Sequence, residues 1–96
     1  MPASPFTSRE EIYVACQSFS KGDAEAFQRI VVGTLDVLGL MQLELAAYLD
    51  VARSTVSRWA NGSHLPPRHL QPQVIRDISR RILHGMKPRI PDLRVR

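Results

Sequence analysis

Residues 42–62 read QLELAAYLDVARSTVSRWANG, and the order of apolar, small and basic residues along this stretch decides the fold. Leu45, Ala46 and Leu49 fall at i, i+1 and i+4, which places them on one face of a short helix. Ala46 is small enough for a second helix to cross closely. Asp50 stands where the chain must turn, a position whose left-handed backbone Asp tolerates better than most residues. Val51 follows as an apolar plug. A second helix is then expected, with Val56 and Trp59 facing inward and Arg53, Ser54, Thr55, Ser57 and Arg58 outside. Asn61-Gly62 suits a left-handed cap that ends it.

The outer face of this second helix carries short donors flanked by two arginines. Such a face suits a helix entering a DNA major groove, where base edges present distinct acceptor patterns and Arg can bond guanine through two hydrogen bonds. An ordinary exposed helix face is the alternative for these residues taken singly. The preceding helix, the turn and the closing Asn-Gly together favour base contact by the group.

On these residues the segment resembles the helix-turn-helix of the lambda-repressor and Cro-like family of regulators, also called Xre-like, without gaps from Leu38 to Gly62. The resemblance implies an all-α fold and sequence-specific DNA binding. It further implies phosphate contacts by Gln42 and Asn61, base contacts by Arg53, Ser54 and Arg58, and a backbone or minor-groove contact by Arg68. Three positions depart from the family pattern. Met41 and Ala52 stand where Ser or Thr would cap a helix, and Asp50 stands in place of the usual Gly. Each missing cap costs about 1 kcal/mol.

Outward from the motif, Ser8 and Glu11 have capping-box spacing, and Ile12, Tyr13, Cys16 and Phe19 follow at helical intervals, so a helix is expected over residues 9–19. Asp23 can cap a second one over 24–37, with Phe27, Ile30, Val31, Thr34, Leu35 and Leu38 as its apolar stripe and Gly39 past its end. A proline-bearing loop with a short turn at 68–70 leads to a last helix over 72–84, where Pro72 fits the first turn, Val74, Ile75, Ile78, Ile82 and Leu83 form the apolar face, and Gly85 ends it. The expected architecture is a compact all-α bundle of about five helices in one domain, residues 8–85. Residues 1–7 read as a flexible tail and 86–96 as a basic one. The helix over 9–19 is additional to the family's core. It either covers that core or offers a partner surface.

The chain has 96 residues and a net charge of +4, unevenly distributed: residues 1–41 sum to −2, 42–62 to zero and 63–96 to +6. Basicity after the motif fits an attractive field for phosphate, and a solvated basic face is the plainer alternative. A single cysteine, no apolar run near the ~20 residues of a membrane helix and no signal-peptide layout fit a cytoplasmic protein without membrane contact. Cys16, His64, His69 and His84 match no zinc spacing, and no phosphate loop, carboxylate pair or nucleophile signature stands out, so neither an enzyme nor a metal or other cofactor is expected.

The leading expectation is a bacterial or phage-type regulator, a repressor, that binds a near-palindromic operator as a homodimer. Ile75, Ile78, Ile82 and Leu83 are its expected dimer seam, and the N-terminal helix is the second choice. A protein-interaction module of antitoxin or antiactivator type, and a recombination or replication accessory factor, remain the alternatives.

Overall fold

A computed structural model describes residues 6–86. Five α-helices follow one another: α1 (Arg9–Gln17), α2 (Ala24–Leu38), α3 (Gln42–Leu49), α4 (Arg53–Asn61) and α5 (Gln71–Met86), with a 3-10 turn (Arg68–Leu70) before the last. No strand occurs among the described residues. The Cα radius of gyration is 13.4 Å, close to the ~13 Å of a folded chain of about this length.

Local chemistry sets the helix starts. Ser8 Oγ accepts the Glu11 N–H (3.2 Å), and Asp23 Oδ1 accepts the Ala26 N–H (3.1 Å), each satisfying a first-turn donor that has no partner within its helix. Glu11 reaches back past the cap, and its Oε1 accepts from the Thr7 N–H (2.7 Å) and the Thr7 hydroxyl (3.0 Å). Thr7, and Phe6 packed against the core, therefore belong to the fold, which starts two residues before the expected boundary. The tail expected over 1–7 otherwise lies outside the described residues, as does that expected over 86–96 beyond Met86.

Three helix ends share one device. Gly39, Asp50 and Gly62 adopt the left-handed conformation, and the next residue donates to a carbonyl five positions back: Leu40 to Leu35 (2.9 Å), Val51 to Ala46 (3.0 Å) and Ser63 to Arg58 (3.1 Å). These Schellman closures stop α2, α3 and α4 within a residue of the expected ends. Two other boundaries differ. α1 ends at Gln17 rather than Phe19, and Phe19 packs its ring edge against Phe27, 6.0 Å between centroids. α5 runs through Gly85 to Met86, so that glycine does not end it.

The core is organised around α2, which packs against α1, α4 and α5, while α3 packs on α4 and α5. Phe27 is fully buried between Phe19 and Trp59, meeting the Trp59 ring edge-to-face at 5.6 Å. Ile12 and Cys16 of α1 meet the same core, so the extra N-terminal helix covers it. Thr34 lies within the expected apolar stripe and is wholly buried; its hydroxyl donates to the Ile30 carbonyl one turn back (2.7 Å), which removes the cost of burying it unpaired. No described helix is long and apolar enough to cross a membrane.

Candidate nucleic-acid interface

The turn between α3 and α4 is held from both sides. Asp50 takes φ 61° and ψ 45°, its N–H donates to Ala47 (3.3 Å), and Val51 is half-buried against the core. Ala46, nearly inaccessible, sits at the crossing of the two helices, as its size requires. α3 and α4 therefore pack directly on one another across a closed turn.

On α4, Val56, Trp59 and Ala60 are buried. With about 100° between successive residues, the line opposite their mean direction passes through Ser54, Arg58 and Asn61. All three are exposed, and Arg53 is exposed at the helix start. Thr55 and Ser57 were expected fully outside; they flank this stripe and are half-buried, because each lies within about 100° of a core residue. Trp59 belongs to the core and is not a surface platform for bases.

The end of α4 is tied to α2 by a contact the sequence reading missed. Gln28 Nε2 donates to the Ala60 carbonyl (3.0 Å), and the same amide lies so close to Gly62 that an added Cβ there would approach it to 3.1 Å. Asn61 Oδ1 accepts the Ser63 N–H (2.9 Å), which leaves the side-chain amide N–H groups for an external acceptor. Gln42, the first residue of α3, is half-buried beside an uncapped start: Met41 provides no side-chain cap, although Glu44 Oε1 accepts the Met41 N–H (2.8 Å).

Arg68 is exposed, yet its guanidinium rests on the α1–α2 turn. A Cβ on Gly22, which adopts φ 94°, would fall 2.7 Å from Arg68 Nε. Beside it, the nearly buried side chain of Gln71 accepts the Gly22 N–H (2.9 Å) and donates to the Pro66 carbonyl (3.0 Å). Gly22 precedes α2, and Gln28 lies in its second turn. The close of α4 and the Arg68 loop are thus both referenced to one end of α2.

The arginines differ in their pairing. Arg29 pairs with Glu25 (3.6 Å), Arg80 with Asp77 (3.7 Å), and Arg76 donates to Gln73 (3.1 Å). Among the described residues, Arg53, Arg58 and Arg68 have no acidic partner, nor have Arg76 and Arg81 of α5. A phosphate or base edge could be met by each of the three without an ion pair to break first.

The expected dimer seam requires correction. Ile75, Ile78 and Ile82 are buried in the molecule's own core and Leu83 is half-buried, so the apolar face of α5 is consumed in folding. Its periodicity is that of any helix packed on a core. Among the described residues, the large apolar side chains left exposed are Val14 on α1, Met41, Leu43 and Tyr48 at α3, and Leu70. Among the described residues no three metal-binding side chains gather. Cys16 is buried, and burial pushes its thiol up to about 12, far from a thiolate at neutral pH. No protein-family model, curated protein or solved structure matches the chain.

Proposed function

We propose that the protein is a sequence-specific DNA-binding regulator of the lambda-repressor and Cro-like kind, a repressor in its simplest form, with α4 as the helix that enters the major groove. The observation that carries this reading is the set of exposed arginines without an acidic partner on and beside the packed α3–α4 pair: Arg53 and Arg58 on α4, and Arg68 in the following loop. Base reading needs donors held in register by a fixed scaffold, and α4 presents Arg53, Ser54 and Arg58 on the side away from its buried residues. Ser54 and Arg58 stand at the centre of the outer stripe, with Thr55 and Ser57 at its margins. Gln42, Asn61 and Arg68 supply phosphate contacts around it.

Two copies on a near-palindromic operator would place the α4 helices about one turn of DNA apart. The seam of such a dimer draws on surface residues rather than on Ile75, Ile78 and Ile82. A protein-interaction module is a second reading, favoured by Met41 and Leu43, 68% and 61% exposed on either side of Gln42.

Substitution separates the contact classes. Arg53→Ala or Arg58→Ala costs about 1–3 kcal/mol on the preferred DNA sequence and little on random DNA, while Arg68→Ala weakens both and lowers the salt slope by about one. Equal losses on both DNAs for Arg58→Ala would remove its base-reading role. Co-purification of a stoichiometric protein partner with no DNA shift at low salt would favour the second reading.

A further inference from the structure

Outside the candidate interface, a cavity of about 220 Å³ opens between the end of α1 and the first half of α5. Cys16, Ile75 and Ser79 line it and are buried, so they form its floor. Phe19 and Pro72 are half-buried beside them, and Arg76 stands exposed at the mouth. No lining residue belongs to α3 or α4.

The chemistry of the wall is uneven. Burial pushes the Cys16 thiol up to about 12, so the floor presents a neutral sulfur. Ser79 donates its hydroxyl proton to the Arg76 carbonyl (2.8 Å), which leaves its oxygen only to accept. The single charge on the lining is the Arg76 guanidinium. One of its N–H groups goes to Gln73 Oε1 (3.1 Å), and the others have no protein partner among the described residues. Asp77, next in sequence, does not neutralise it, because that carboxylate is engaged by Gln73 Nε2 (3.1 Å) and Arg80 (3.7 Å). An anion is therefore met at the mouth and an apolar group below it.

Size narrows the ligand further. An apolar cavity of ~150 Å³ holds benzene, and drug-sized ligands fill roughly 300–1,000 Å³. The space between α1 and α5 falls between these and suits one ring with a small polar group. We propose that this cavity binds a small aromatic carboxylate, with its ring against Phe19, Pro72 and Ile75 and its carboxylate on Arg76. A guanidinium can meet a carboxylate through two parallel N–H···O bonds, and Arg76 retains the donors for them. The assignment does not rest on DNA binding.

Sodium benzoate titrated into the full chain at constant ionic strength tests this, read from the Ile75 methyl and Arg76 side-chain N–H signals by NMR. Both should shift saturably and together. Uncharged benzamide on the parent chain, and benzoate on Arg76→Gln, should each bind about tenfold more weakly, the loss of one charge-assisted contact. Arg80→Gln, which changes an exposed arginine outside the cavity, should leave the affinity for benzoate as it was. No saturable shift at Ile75 would overturn the proposal, and so would equal affinity for benzoate and benzamide or undiminished binding to Arg76→Gln. Equal losses from Arg76→Gln and Arg80→Gln would also overturn it, since they would reduce the effect to general attraction of an anion by α5.

Discussion

Replacing Gln71 by Met isolates the clamp that joins the α1–α2 turn to the loop after α4. Gln71 is 4% exposed and ties Gly22 and Pro66 through bonds of 2.9 and 3.0 Å. Met keeps the volume and the helix propensity, so the change removes little beyond the two hydrogen bonds. Each is worth about 0.5–1.5 kcal/mol net, and a partner left unmet in a partly buried position costs about 1–3 kcal/mol. Because both partners retain some access to water, a total of about 2–3 kcal/mol is expected. For a domain of this size that corresponds to a fall in Tm of roughly 10–20 °C. Thermal unfolding by circular dichroism reads the shift, and amide exchange reads its location: the Gly22 N–H should exchange faster at conditions where the Phe27 amide is unchanged. A Gln71→Met protein within about 0.5 kcal/mol of the parent would refute the clamp.

Met41→Thr supplies the missing acceptor at the start of α3, where Glu44 already receives the Met41 N–H, and should stabilise by about 1 kcal/mol; an unchanged or lowered Tm would contradict it. The Thr7 N–H, and then the Thr7 hydroxyl, hold the Glu11 carboxyl below its ordinary value of 4.5. Their contribution is complete above that value and is lost as the pH falls through the lowered one. NMR titration of the Glu11 side chain should therefore give a midpoint below 4.5, with Thr7 amide protection disappearing over the same range. A midpoint at or above the ordinary value would show that the contact does not persist in solution.

The bundle was legible because its signals are local. Ser8 and Asp23 announce helix starts, and Gly39, Asp50 and Gly62 announce ends, each through the conformation of one or two residues. The face of α4 was legible for the same reason, since Val56 and Trp59 fix its rotation. Contacts between distant segments leave no such trace. Gln28 and Gln71 look like ordinary polar helix residues, yet their amides meet carbonyls and N–H groups 32 and 49 positions away. The α5 stripe was legible as apolar, but periodicity cannot distinguish a face that meets its own core from one that meets another molecule. Ile75, Ile78 and Ile82 meet their own.

The central claim, that α4 reads DNA sequence, is tested most directly by selecting bound sites from random duplex DNA with the full chain. The account predicts enrichment of an inverted repeat whose half-sites lie about 10 base pairs apart, or a multiple of that, centre to centre, with the enrichment abolished by Arg58→Ala. Recovery of no enriched sequence, even at low salt, would contradict it.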